Sequence, residues 1–286
     1  MGKRPRNKKV IIIVCLVFCL AAVGINKYMQ SWRSMDVILF MGQSNMSGAC
    51  GDASKAPELI EGAGYEYRAI TDPDTLHVLE EPFGLNEHRE GALDDRELLE
   101  RNGSLVTAFV NAYYEQTGTP VVAISASRGS SSMNTWLNRC LMADAIDRLN
   151  AAKECLKGEK VVVRHIYMVW FQGEADANKE TPSDEYQADM ETMMDSMKEA
   201  GVEQCFLIQI GQNGAQPGLH DEIMEAQLEL CEKSEDITLV SDLPAILTGT
   251  DMMDGGVVHF LQEALNLIGT DAGTNAGAWV KALSEE

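Results

Sequence analysis

The sequence predicts an α/β fold in which helices cover both faces of a mostly parallel sheet. Two observations predict it. Short apolar runs recur along the chain, each bounded by Gly, Pro or polar residues, as is typical of buried parallel strands. Stretches of about 12 to 17 residues with helical spacing separate these runs, and this alternation is typical of βαβ units.

Five predicted strands divide the chain. They cover residues 36–41, 121–125, 161–171, 205–210 and 237–241. The predicted helices have apolar residues at helical spacing and cover residues 104–116, 141–156, 184–200, 221–233 and 262–283. Residues 48–103 are rich in Gly, Pro and acids, so we expect a long loop region there with little regular structure. Loops of that length are usually functional.

The N-terminal segment differs in charge from the rest of the chain. Residues 1–35 hold seven Lys or Arg and no Asp or Glu. A basic stretch precedes an apolar run of 16 residues, from Val10 to Ile25, and this run is slightly short for a membrane span. The pattern predicts a cleaved export signal or an uncleaved membrane anchor, with a buried core helix as the alternative. Its basic flank predicts an extracytoplasmic body, which we interpret as one domain over residues 36–286.

The body of the chain is strongly acidic. Residues 36–286 hold 16 basic and 44 acidic residues, a net charge of −28. Such a body repels nucleic acid and anionic polymers, so its charge is more compatible with neutral substrates. Seven Cys are present, two of them inside the apolar run, and the other five show no CxxC spacing. We interpret these five as mostly buried small residues, with no disulfide framework and no metal site.

A candidate nucleophile follows the first predicted strand. Gly42, Gln43 and Ser44 come directly after its apolar residues. A serine in a tight turn after a strand exposes its hydroxyl, and a nearby backbone N–H can help to hold a developing oxyanion. Gly-x-Ser is also ordinary turn chemistry, so Ser44 needs partners before it can be interpreted as catalytic.

Two further polar segments follow the second and third strands. Gly129 lies in a Gly/Ser loop, where a residue without a side chain lets the backbone approach a substrate. Gln172 could donate its side-chain amide to the same oxyanion. Glu174 and Asp176 come next, and they are also typical of the first turn of a helix. In parallel sheets, ligands bind beyond the carboxyl ends of the strands, where these segments lie.

A candidate base lies between the fifth strand and the last helix. A histidine that acts as a base needs an acid, which fixes its tautomer and stabilises the imidazolium. His259 has Asp254 and Asp251 as local acids. It is the one histidine of five that lies beside acids at the end of the predicted sheet.

Four blocks occur in a fixed order along the chain. They are residues 42–46, 129–136, 172–176 and 259–260. Together they resemble the conserved blocks of the sialate O-acetylesterase-like and acetylxylan-esterase-like branch of the SGNH hydrolases. Residues 81–84 and 264–269 are also similar to bacterial members. The resemblance extends over residues 36–281, and four blocks in order make it specific.

The resemblance implies a flavodoxin-like three-layer α/β/α sandwich, the SGNH hydrolase fold. It implies metal-free removal of acetyl groups from carbohydrate hydroxyls, with an acetylated carbohydrate as the partner and no cofactor. By position, Ser44 attacks the ester carbonyl, and His259 takes its proton and later activates water. The backbone N–H groups of Ser44 and Gly129 and the side chain of Gln172 would form the oxyanion hole.

One position departs from the family's pattern. The acid usually stands three residues before the histidine, and Gly256 occupies that position here. The nearest aspartate is Asp254, five residues before His259. Asp251 could serve instead, Glu174 could help to orient the histidine, or the site could work as a dyad. A degraded, non-catalytic site is the remaining alternative.

Three functional hypotheses are therefore compatible with the sequence. The leading hypothesis is an extracytoplasmic carbohydrate O-acetylesterase. The first alternative is an esterase for another acyl group or a non-sugar alcohol, because fold and triad do not select the substrate. We expect the loop of residues 48–103 to select it. The second alternative is a surface carbohydrate-binding protein with an inactive site, which the shifted aspartate would allow.

Overall fold

A computed structural model describes residues 32–87, 101–255 and 257–283. The described strands are β1 (Arg33–Gly42), β2 (Gly64–Arg68), β3 (Asp72–Val78), β4 (Val121–Ser125), β5 (Val161–Phe171), β6 (Gln204–Ile208), β7 (Ile237–Ser241), β8 (Met253–Asp254) and β9 (His259–Phe260). The described helices are α1 (Ser44–Ser47), α2 (Val106–Thr117), α3 (Met133–Asn138), α4 (Leu141–Gly158), α5 (Glu174–Ala177), α6 (Ser183–Glu199), α7 (Asp221–Lys233), α8 (Leu243–Leu247) and α9 (Gln262–Leu283).

One described sheet contains strands β1 to β7 in the order β3-β2-β4-β1-β5-β6-β7. All its neighbouring strands run parallel except β2 and β3. β1 lies at the centre, and residues Val37 to Met41 are fully buried. These residues form an unbroken apolar run, as expected for a strand that is covered on both faces. The loops at its carboxyl end are therefore flanked by those of β4 and β5.

Helices cover both faces of this sheet, which confirms the predicted α/β/α sandwich. On one face α2 and α9 pack against each other, and α9 also contacts β6 and β7. On the other face α4 contacts β3, β4 and β5, and α7 contacts α6 and β7. The core between these layers is apolar, and it holds most of the large aromatic side chains.

A row of glycines lets α9 lie close to α2. Gly269, Gly273 and Gly277 are spaced four residues apart, so they share one face of the helix. A Cβ added at Gly273 would lie 2.2 Å from the carbonyl oxygen of Phe109. One added at Gly269 would lie 2.3 Å from the carbonyl oxygen of Leu105. The two helix backbones can pack this closely only because these side chains are missing.

The prediction of little regular structure over residues 48–103 is wrong. Strands β2 and β3 lie there and form an antiparallel pair at one edge of the sheet. β3 holds a proline and exposed acids, which edge strands tolerate but which hide a strand from a search for apolar runs. In β2 the charged residue Glu66 is buried. Its carboxylate accepts a hydrogen bond from Arg68 (2.8 Å), which offsets part of the cost of burying the charge. Residues 88–100 of the predicted loop lie outside the described ranges.

The predicted signal or anchor falls almost wholly on residues 1–31, which also lie outside the described ranges. Within the ranges that are described, no helix combines the length and the hydrophobicity that crossing a membrane requires.

We expect Gly273→Ala to lower the free energy of unfolding by about 1–3 kcal/mol, because the added methyl group would overlap the Phe109 carbonyl and separate α9 from α2. Urea denaturation followed by circular dichroism measures this change. Gly158→Ala is the matched control, because a Cβ at this last residue of α4 meets no described atom within 4 Å. Its stability should change little or increase slightly. Equal losses in both variants would contradict the role of the glycine row.

Candidate active site

The candidate nucleophile lies just beyond the end of the central strand. β1 ends at Gly42, whose φ of +136° is a conformation that L side chains rarely adopt. A Cβ there would lie 2.1 Å from the carbonyl oxygen of Phe171, so glycine is required where β1 ends against β5. Helix α1 begins two residues later, at Ser44. An N–H at the start of a helix has no intrahelical partner, so the Ser44 N–H is available to a ligand.

Ser44 and His259 are 215 residues apart in sequence and in direct contact in the structure. The hydroxyl Oγ of Ser44 lies 2.9 Å from Nε2 of His259. Burial lowers the pKa of His259 below 6.5, while the charge of Asp254 opposes this shift. The imidazole is therefore neutral near pH 7, and the hydroxyl donates to Nε2. A nucleophile and its general base need this contact.

The loop after β4 is held beside the nucleophile by a chain of hydrogen bonds. The N–H of Arg128 donates to the carbonyl of Gly42 (2.8 Å). The hydroxyl of Ser131 donates to the carbonyl of Arg128 (2.6 Å) and accepts from the buried indole N–H of Trp136 (2.9 Å). Gly129 lies inside this loop and is buried. Its N–H makes no hydrogen bond within the described part of the chain, so it can serve an incoming oxyanion.

Gln172 is close to the site, but its amide is already engaged. The side chain is fully buried. Its Nε2 donates to the carbonyl of Ser131 (2.9 Å) and to the carboxylate of Asp176 (2.5 Å). An amide nitrogen carries two hydrogens, so in this structure both hydrogens of the Gln172 amide already have acceptors. The oxyanion role that the sequence predicts for Gln172 would require one of these two bonds to be given up. Gln172 instead ties the loop after β5 to the loop after β4.

Two residues beside the nucleophile were missed by the sequence analysis. The side-chain oxygen of Gln43 accepts from the N–H of Ala175 (3.2 Å). Asn45 donates to the carbonyl of Val258 (3.0 Å) and accepts from the N–H of Phe260 (3.2 Å). The one signal available was that both residues adjoin the candidate serine. Nothing in the sequence indicates that Asn45 reaches the strand that carries the histidine.

Asp254 faces His259 across a short antiparallel pair. Strands β8 and β9 pair these two residues directly, and opposed residues of a ladder place their side chains on the same face. Within the described part of the chain, the carboxylate of Asp254 accepts from the Cys50 thiol (3.4 Å), and the imidazole of His259 forms a hydrogen bond with Ser44 alone. Burial and the nearby carboxylate raise the pKa of Cys50 to about 11, so it remains a thiol. Asp254 therefore acts on His259 through its charge.

Neither of the other two candidate acids makes a described hydrogen bond to the histidine ring. Asp251 is exposed in the turn before β8. Glu174 is buried and accepts a hydrogen bond from Asn45 (2.7 Å). Burial raises the pKa of Glu174 to about 7, and its Oε2 has no hydrogen-bond partner among the described residues. Glu174 therefore reaches His259 only through Asn45.

The remaining described histidines are engaged elsewhere. A ring nitrogen of His77 contacts Asp72 (3.0 Å), and one of His165 contacts Glu203 (2.8 Å). A ring nitrogen of His220 contacts the Gly211 carbonyl (2.7 Å). His88 lies outside the described residues. The selection of His259 as the base is thus consistent with its position.

Comparisons with known proteins identify the family and the fold. A family model described as carbohydrate esterase, sialic acid-specific acetylesterase, matches residues 34–274. A structure of a protein from Arabidopsis thaliana aligns with a TM-score of 0.60 at 17% identity, over 85% of this chain and 97% of that one. A carbohydrate acetylesterase from Xanthomonas citri aligns with a TM-score of 0.52 at 15% identity, over 87% of this chain and 57% of that one. At these identities the two structures show a shared fold. A search of curated proteins finds no match.

We expect the imidazole of His259 to titrate below pH 6.5, because burial disfavours the imidazolium. Asp254→Asn should lower the midpoint further, since it removes the charge that favours the imidazolium. NMR of the labelled imidazole measures both values. Asp251→Asn is the control and should leave the midpoint in place. A midpoint above 6.5, or no response to Asp254→Asn, would contradict the electrostatic role of Asp254.

Proposed function

This chain belongs to the family of carbohydrate esterases described as sialic acid-specific acetylesterases, and we propose that it is a serine esterase that removes O-acetyl groups from carbohydrates. The observation that carries the proposal is the 2.9 Å contact between the Ser44 hydroxyl and His259. A site that had lost its function would have no need of this contact. The proposal therefore favours a catalytic chain over a carbohydrate-binding protein.

In the proposed reaction His259 acts first as a base and then as an acid. Neutral His259 takes the proton of the Ser44 hydroxyl as Oγ attacks the acetyl carbonyl. The imidazolium then gives this proton to the departing sugar oxygen, which leaves an acetyl-serine. Water, deprotonated by His259, attacks this ester and releases acetate, and the proton returns to Ser44.

The oxyanion of each tetrahedral intermediate needs donors that are fixed before the reaction. We assign this role to the backbone N–H groups of Ser44 and Gly129. Both lie at the carboxyl end of the sheet, and the bond from Arg128 to Gly42 joins their two loops (2.8 Å). Gln172 is left out of this assignment because its amide is engaged.

Asp254 is our candidate for the acid that supports His259. Its charge favours the imidazolium that forms during both steps. Because it acts without a direct hydrogen bond, removing it should cost less than removing the serine or the histidine. We therefore propose a Ser-His pair assisted by a nearby carboxylate.

The substrate is proposed from the family and from the charge of the chain. A body with a net charge of −28 over residues 36–286 favours a neutral acetylated sugar. Within residues 48–103, the turn that contains Gly84 packs against the carboxyl end of β4, because a Cβ at Gly84 would lie 2.2 Å from the Ser125 hydroxyl. The carboxylate of Glu81 holds this turn by accepting from the N–H groups of Phe83 (2.9 Å) and Ser104 (2.8 Å). This turn is a candidate wall of the sugar site.

We expect Ser44→Ala to reduce the release of acetate by at least about 10³-fold, because it removes the nucleophile. Acetate release from a chromogenic acetate ester and from O-acetylated sugars measures the effect. Ser241→Ala is the matched control, since this serine is also buried but lies in β7 and accepts from the N–H of Leu243. It should keep wild-type turnover. Full activity in Ser44→Ala would exclude the mechanism.

The same assay separates acetyl specificity from esterase activity in general. The wild-type chain should hydrolyse the acetyl ester of a chromophore faster than the butyryl ester of the same chromophore. Equal rates, or faster hydrolysis of the longer acyl group, would support an esterase of another substrate class.

We also propose that the part of residues 1–35 that precedes β1 exports the chain and either anchors it or is cleaved, since β1 already begins at Arg33. This proposal rests on the positively charged stretch that precedes the apolar run in the sequence. Expression in a bacterial host should place the acidic body on the extracytoplasmic side, where added protease reaches it in spheroplasts. N-terminal sequencing of the product distinguishes a cleaved signal from an anchor. Recovery of the intact chain in the cytosol would contradict this proposal.

A further inference from the structure

We propose that Asn45 is a positioning residue that holds His259 against Ser44, an inference that rests on the esterase mechanism proposed above. The side chain of Asn45 binds the backbone on both sides of the histidine. Its Oδ1 accepts from the N–H of Phe260 (3.2 Å), and its Nδ2 donates to the carbonyl of Val258 (3.0 Å). One amide therefore fixes the place at which the His259 side chain leaves its strand.

The position of Asn45 in the chain makes this contact relevant to catalysis. Asn45 directly follows Ser44 in α1, so the nucleophile and the group that holds its base belong to one turn of helix. Loss of the bonds to Asn45 would leave β9 free to shift and to change the 2.9 Å contact between Ser44 and His259. Positioning errors of about 1 Å can cost on the order of 10²-fold in rate.

The strand that carries the histidine packs into the core through Phe260, but it makes few backbone hydrogen bonds. Strands β8 and β9 contain two residues each. Apart from this pairing, the N–H of Gly214 donates to the carbonyl of Val257 (2.8 Å), and the N–H of Leu261 donates to the carbonyl of Met252 (2.8 Å). Neither of these bonds reaches Val258 or Phe260. Asn45 is therefore the described side chain that ties the residues next to His259 to the nucleophile helix.

Glu174 fixes the orientation of the Asn45 amide. Nδ2 of Asn45 also donates to Oε1 of Glu174 (2.7 Å), so it faces two oxygen acceptors. Rotating the amide by 180° would turn its oxygen toward both acceptors and its nitrogen toward the N–H of Phe260. Asn45 is 3% exposed, so water competes little for these bonds. The loop after β5 thus supports the histidine through Asn45.

The chain contains a second clamp of the same kind, far from the site in the fold. Asn111 on α2 accepts from the N–H of Ile60 (2.8 Å) and donates to the carbonyl of Glu58 (2.8 Å). It therefore holds Leu59 by its two neighbours, as Asn45 holds His259. Asn111 is the matched control, because its loss removes the same two bonds without touching the active site.

The test compares Asn45→Ala with Asn111→Ala in the full chain. We expect Asn45→Ala to lower kcat for a chromogenic acetate ester by about 10²-fold, with KM changed by less than about threefold. Asn111→Ala should keep kcat. Thermal unfolding of both variants, at the same salt and pH, separates a loss of rate from a loss of fold. A kcat within about threefold of wild type in folded Asn45→Ala would overturn the proposal, as would an equal loss of kcat in Asn111→Ala.

A pair of substitutions gives a readout that a loss of packing would not produce. Asn45→Asp keeps the acceptor for Phe260 but places a second carboxylate against Glu174. Adding Glu174→Gln supplies a donor for the new carboxylate. We expect Asn45→Asp to lose activity. The double variant should be at least about tenfold more active than Asn45→Asp. No recovery in a folded double variant would overturn the role of this contact.

Labelling of Ser44 by a fluorophosphonate separates this inference from the proposed function. Labelling needs only the serine and its base, so its rate reports the clamp even if no acetate ester is hydrolysed. A wild-type chain that labels quickly but hydrolyses no acetate, with slow labelling in Asn45→Ala, would overturn the proposed substrate and keep the inference. A wild-type chain that neither hydrolyses nor labels would overturn both.

Discussion

The carbonyl oxygen of Phe171 lies where a side chain on residue 42 would have to go. Glycine at this position lets the central strand end against β5 and turn at once into α1. The nucleophile, the loop after β4 and the loop after β5 are then brought to one edge of the sheet. The N–H of Gln43 completes this junction by donating to the Phe171 carbonyl (3.1 Å). The rest of the site depends on this close approach between two backbones.

A second requirement comes from burying polar groups around that junction. Gln172, Glu174 and Asp176 are each at most 2% exposed, and buried polar groups need partners. Asp176 accepts from the N–H of Met133 (3.0 Å) and from Gln172. The hydrogen bonds that these side chains make hold loops together. Buried amides and acids can therefore position an active site in which Ser44 and His259 meet at hydrogen-bond distance.

Support for the base is divided between charge and geometry. Asp254 faces the histidine and favours its charged form, while Asn45 fixes the strand on which it lies. In the pattern that the resemblance implies, an acid stands three residues before the histidine, and Gly256 occupies that position in this chain. Dividing the tasks explains how the Ser-His contact forms although the acid is displaced by two residues.

The sequence by itself determined the sandwich, the five apolar strands, the long helices and the two residues that meet at the site. Apolar periodicity is a local property, and glycine-serine turns after strands are visible along the chain. Only the tertiary structure revealed the edge pair β2 and β3, the engagement of Gln172 and the clamp by Asn45. Each of these depends on which polar groups become neighbours when the chain is buried. A bond between residues 45 and 258 leaves no trace in either local sequence, because any asparagine could make it and only the fold selects one.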